Sequence, residues 1–130
     1  MSLLSFQHYY RVGQAAKIQI DEINNLKDDK LFVNVCGVLK EEVISLTNKF
    51  IDLPIIKESA ITKKKSFVCL EEISDLNLTQ NRFKKAKENG FTTVLVFINT
   101  TKQLHEKSTN SFDELIKDNN LIDFYVNLKK

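Results

Sequence analysis

Hydrophobic and polar positions change register several times along this chain, and each change marks an element. Val94 to Ile98 is an unbroken apolar run rich in β-branched and aromatic residues, and Ser66 to Leu70 (SFVCL) has the same character. Runs of this kind predict strands covered on both faces, as in the middle of a parallel sheet. Between them, Gln80 to Asn89 contains no proline, glycine or β-branched residue, and its apolar positions are Phe83 and Ala86. That spacing predicts a helix with one narrow buried stripe. Thr79 is read as its N-cap, and Gly90 as the left-handed residue that ends it. Lys84, Lys85 and Lys87 crowd the second half, where cations complement the helix dipole. Strand, helix, strand over 66–98 is therefore a βαβ unit.

The flanking segments follow the same logic. Ala16, Ile18 and Ile20 alternate with Lys17, Gln19 and Asp21, a half-buried strand with a helix over 14–27 as the competing reading. Asn24 to Lys30 reads as a turn, and Leu31 to Val38 as a second strand, so an antiparallel hairpin over 16–38 is expected. Gly37 within it suggests a bulge or a close backbone contact. Lys40 to Ile51 fits a helix that stops before Pro54, the only proline. Residues 54–65 read as a loop with a basic tip. Ser111-Phe-Asp-Glu114 has the form of a capping box opening a short helix to about Lys117. Ile122, Phe124, Val126 and Leu128 alternate with polar neighbours and read as the last strand. The expected fold is α/β: one domain over 1–130, with a mixed sheet of about five strands and two to three helices packed on it. Residues 1–13 are expected to be an N-terminal arm.

Composition narrows the function classes. Net charge is +2, and the halves are balanced, with 10 basic and 8 acidic residues in 1–65 and 9 of each in 66–130. No charged half or tail points to nucleic acid. The basic residues are 17 Lys and 2 Arg, whereas bidentate phosphate recognition favours Arg. No apolar run approaches the length of a membrane span, and MSLLSFQHYYR lacks the charge and apolar core of a signal peptide. The expected setting is cytoplasmic, with no membrane contact. Cys36 and Cys69 sit in apolar strand-like runs and read as buried free thiols, a disulfide requiring that their strands be neighbours.

Candidate chemistry is sparse. Gly13, Gly37 and Gly90 are too far apart to make a phosphate loop. The two Cys and two His show no paired zinc spacing. No cofactor is expected. Asp21 with Asp28-Asp29-Lys30 is the nearest approach to a metal-dependent nuclease site, although DDK is also common turn composition. The rule for open α/β sheets places a site at the carboxyl ends of the strands. A polar edge of Glu71, Glu72, Asn99, Thr100 and Thr101 is expected there, converging if the two strands are adjacent. Two basic clusters, Lys63, Lys64, Lys65 and Arg82, Lys84, Lys85, Lys87, are candidate phosphate contacts. Phe6, Tyr9, Tyr10 and Tyr125 are candidate interface aromatics.

Residues 82–98 (RFKKAKENGFTTVLVFI) resemble, as a generic helix–glycine–strand pattern, the last helix and strand of barstar-type inhibitors. The acidic binding helix of that family has no counterpart here, so membership does not follow. The expected function is a non-catalytic protein-interaction module: an adaptor, an immunity-type inhibitor or a subunit of a complex. Its expected partner is another protein chain or a second copy. A nucleic-acid-binding module using the lysine clusters is the alternative, and a small metal-dependent nuclease-like enzyme the second alternative.

Overall fold

The computed structural model describes residues 15–23, 26, 30–37, 40–50, 66–73, 76–99, 106–117 and 121–129. They form five strands and four helices in strict chain order. These are β1 (Ala16–Lys17), α1 (Ile20–Ile23), β2 (Leu31–Gly37), α2 (Lys40–Phe50), β3 (Ser66–Glu72), α3 (Leu76–Glu88), β4 (Thr92–Asn99), α4 (Glu106–Lys117) and β5 (Phe124–Lys129).

The strands make one sheet in the order β1-β5-β4-β2-β3. Every pairing is parallel, where the sequence suggested a mixed sheet. The βαβ unit of 66–98 is present, but its two strands are not neighbours, because β2 lies between β3 and β4. The expected hairpin over 16–38 does not form. β1 pairs with β5, at the far side of the sheet from β2. The physical reason lies in β2 itself. All seven of its residues are buried, which suits a strand with neighbours and helices on every side. The period-two reading of 16–20 holds for burial, since Ala16 and Ile18 are buried while Lys17 and Gln19 are exposed. Regular pairing covers only two residues before α1 begins.

Alternation along the strands divides the interior into two layers. Phe32, Cys36, Cys69, Leu95 and Phe97 face α3 and α4, meeting Phe83, Ala86, Phe112 and Leu115. Val33, Val35, Val68, Val94, Val96 and Val126 face the other way, meeting Ile23 of α1 with Val43 and Leu46 of α2. The chain steps from β1 to β2 and from β2 to β3 in one direction, with α1 and α2 on one face. It steps back from β3 to β4 and on to β5, with α3 and α4 on the opposite face. Right-handed crossovers require this exchange of faces.

Two glycines hold the central elements together. Gly90 has φ +79° and closes α3 as the sequence predicts. Its N–H donates to the Lys87 carbonyl, and the Phe91 N–H donates to that of Ala86. This is the Schellman pattern, with Phe91 and Ala86 in apolar contact beneath it. Gly37 marks a close contact, not a bulge: its register with β3 and β4 is unbroken. A Cβ there would lie 2.7 Å from the Ile98 carbonyl oxygen and 2.8 Å from Val43 Cγ2.

Two helix starts differ from the sequence reading. Thr79 does not cap α3 but lies inside its second turn, fully buried. Ser111 does not open a helix, because α4 already begins at Glu106. In both places a residue type that favours caps lies instead on a buried helix face. The proposed N-terminal arm and the basic loop of 54–65 lie outside the described residues.

Candidate functional site

Parallel strands with helices after each one bring all strand carboxyl ends to one edge. The direction of the crossovers reverses between β2 and β4, so the topological switch point lies between Gly37 and Asn99. In doubly wound sheets this is where ligands bind. Glu71 and Asn99 both reach this edge, but they flank β2 and do not meet directly: Glu71 is in register with Cys36, and Cys36 with Phe97. Glu72 points to the opposite side of β3 by alternation and is exposed. Thr100 and Thr101 lie outside the described residues.

Glu71 is the centre of a buried polar cluster. Burying a carboxylate in a sheet is costly unless its charge and lone pairs are met. Here Asn34 Nδ2 donates to Oε1 at 2.9 Å, and Thr79 Oγ1 donates to the same oxygen at 2.7 Å. Arg82 approaches Oε2 to 2.7 Å as an ion pair without the alignment of a hydrogen bond. Asn34 comes from β2, Glu71 from β3, and Thr79 and Arg82 from α3 one turn apart. Helical spacing places those two on one face, so a single carboxylate clamps α3 to both strands. Asn34 and Thr79 escaped recognition as partners. Asn34 left one signal, as the lone polar residue at the centre of LFVNVC, where a buried side chain must find a hydrogen bond.

Cys36 lies beside this cluster, on the same face. Burial pushes its thiol well above the ordinary range, and the Glu71 carboxylate adds to the effect. A neutral buried thiol is a poor nucleophile. Cys36 and Cys69 are both free and buried. Their strands are neighbours, but the register pairs Cys36 with Glu71 and Cys69 with Asn34. The two thiols are thus diagonal, and diagonal sheet neighbours are about 7–8 Å apart, at or beyond the reach of a disulfide.

The basic helix is partly absorbed by the fold. Arg82 is held by Glu71, and Lys87 by Asp123. Lys84 is exposed and Lys85 half-buried. Lys63, Lys64 and Lys65 lie outside the described residues, as do Phe6, Tyr9 and Tyr10. Tyr125 packs its ring edge against Phe112 at 5.8 Å, and Phe112 stacks on Phe97 at 4.6 Å. Its ring therefore belongs largely to the α4 layer.

The members of the proposed nuclease cluster that can be placed do not converge. Asp21 is in α1, after the carboxyl end of β1, whereas Lys30 precedes the amino end of β2. Lys30 Nζ donates to the Asn89 carbonyl there. Asp28 and Asp29 lie outside the described residues. Among the described residues no group of three or more His, Cys, Asp or Glu side chains could hold a metal ion. Nor is any helix among them long and apolar enough to cross a membrane. Compared with protein-family models, with curated proteins and with solved structures, the chain finds no match.

Proposed function

We propose that this chain is a non-catalytic protein-interaction module that works in an assembly with another protein chain or with copies of itself. The observation that carries the reading is the Arg82–Glu71 pair. It takes one member of the polar edge, where catalysis would have been sought, and one member of the basic helix, where phosphate would have been sought. Both are engaged in holding α3 on the sheet. A carboxylate that accepts from Asn34 and Thr79 and faces a guanidinium is built for positioning, not for proton transfer. The reading includes a cytoplasmic setting, in which Cys36 and Cys69 remain reduced.

The test is the size and mass of the purified chain at about 50 mM and about 500 mM salt, with and without a mixed DNA and RNA pool. Nucleic-acid binding falls steeply over that range because counterions are released. A salt-insensitive oligomer that ignores the pool is the expected result. A salt-sensitive shift seen only with the pool would sink the proposal and promote the nucleic-acid module, with Lys84 and Lys85 as the first residues to change.

A further inference from the structure

The two edges of the sheet differ in how their polar groups are matched. At the amino edge they pair with one another. Asp123 Oδ2 accepts from the Thr93 backbone N–H at 2.9 Å and is held by Lys87. Thr93 Oγ1 donates to the Leu121 carbonyl at 2.7 Å. Lys30 Nζ and Asn89 Nδ2 donate to carbonyls at the end of α3. The carboxyl edge is different. Asn99 Oδ1, Asn127 Oδ1, Glu22 Oε2 and Glu42 Oε2 are all shielded from solvent, and none has a hydrogen-bond partner among the described residues.

Their placement follows from the topology. Asn99 ends β4, and Asn127 lies on β5 in register with Phe97. Both share a face with Leu95, Phe97 and Tyr125, beneath α3 and α4. Glu22 follows β1 in α1, and Glu42 lies in the first turn of α2 after β2. Asn34 adds a fifth unpartnered oxygen deeper on the asparagine face. It is wholly buried, and its Nδ2 is already given to Glu71. A shielded polar atom without a partner is costly to the fold. Here that cost falls at the end of the sheet where doubly wound folds bind their ligands.

Every one of these atoms is an oxygen. Any donor can meet such an oxygen, but guanidinium and ammonium present donors alone and also carry the charge that Glu22 and Glu42 call for. The formal charge of the edge agrees. Among the residues whose side chains are described, Asp21, Glu22, Glu41, Glu42, Glu71 and Glu72 stand there against Lys17, Lys40 and Arg82, six acidic residues to three basic. Arg82 is already committed to Glu71. We propose that the carboxyl edge is the docking surface of this chain, and that it takes a basic, arginine- or lysine-bearing segment of a protein partner. This rests on the interaction-module reading and deepens it. Asn99 and Asn127 would accept from the inserted side chain, and Glu22 and Glu42 would meet its neighbours.

The test uses the full 15N-labelled chain and a capped Gly-Arg-Gly-Arg-Gly peptide, with the Glu-for-Arg peptide as control. Saturable shifts of the Asn99 and Asn127 side-chain NH2 signals with the Arg peptide alone are expected. The double substitution Asn99→Leu/Asn127→Leu should weaken binding about tenfold while leaving thermal stability unchanged or raised. Asn127→Asp should tighten binding, and it decides the matter if the leucine pair does not fold. Absent shifts, shifts centred on Lys30, Asn89 and Asp123, or an Asn127→Asp variant that binds no better would each overturn the assignment. A protein complex that forms through another surface would overturn it and leave the module reading standing. Loss of the module reading itself would show separately, as assembly only with nucleic acid.

Discussion

Glu71 shows how a single side chain can set the character of a site. Its carboxylate is buried beside Asn34, and α3 is held over it by Thr79 and Arg82. Removing one partner of such a pair leaves an uncompensated charge. Arg82→Met should therefore lower unfolding free energy by about 3–5 kcal/mol in urea titrations. Adding Glu71→Leu to that variant should recover part of the loss, the remainder reflecting Asn34 and Thr79 left without their acceptor. If the single variant is neutral, the pair is a surface contact and the clamp does not exist. Cys36 gives a second prediction at this scale. Burial raises its thiol in the folded chain, so the folded state holds a proton that the unfolded state releases. The stability tied to that proton is complete below the unfolded thiol's range, around pH 8.5, and is lost as pH rises beyond it. Chemical denaturation between about pH 7 and pH 10 should show an alkaline decline that is shallower in Cys36→Ala. Asn34 was legible in the sequence only as an interruption. The side chain it bonds, 37 positions away, could not be read from spacing.

Elements were legible where local chemistry decides them. The end of α3 needs a residue at positive φ, and Gly90 supplies it. Gly90→Ala should cost about 1 kcal/mol, measured by thermal denaturation, with the fold retained. Gly37→Ala should cost more, about 1–3 kcal/mol, although its backbone is ordinary. The obstacle there is the Ile98 carbonyl on one side and Val43 of α2 on the other, and neither is the free end of a flexible chain. A Gly37→Ala variant as stable as the parent would mean that α2 does not seat against β2 as closely as described. Helix beginnings were less legible than helix ends. Thr79 and Ser111 have the right chemistry for caps, but a cap also needs the chain before it to leave the helix. Leu76, Asn77 and Leu78 continue α3 instead, and residues 106–110 continue α4. Their burial inside helices is decided by what the sheet presents, Glu71 in the first case and the Phe97 layer in the second.

At the scale of the whole molecule, hydrophobic period reports how many faces of a strand are covered, but not which strands are its neighbours. The unbroken runs of β3 and β4 read alike as interior strands, yet β3 lies at the edge of the sheet. That position, and the passage of α3 across β2, depend on crossover handedness and on pairing far along the chain. The same limit explains why Glu71 and Asn99 could be assigned to one edge without knowing that β2 separates them. The resulting order predicts a gradient of local stability. β2 and β4 each have a strand on both sides and a helix layer on both faces, so their amides should exchange only when the whole domain unfolds. β1 is tied to β5 over two residues, with the Ile18 N–H donating to the Tyr125 carbonyl just beyond. Native-state hydrogen exchange should give Val33, Val35, Val94 and Val96 one common free energy, equal to that of global unfolding. Ala16 and Ile18 should open at a lower value, because releasing β1 and α1 breaks few pairings and uncovers only one side of β5. Equal protection of β1 and β2 would show instead that Ile18 and Ile23, packed into the α2 layer, bind this edge as tightly as the sheet binds its centre. The carboxyl edge would then be rigid across its full width. A basic partner segment would in that case reach the shielded oxygens of Asn99, Asn127 and Glu22 only by displacing what covers them, without local opening of α1 to admit it.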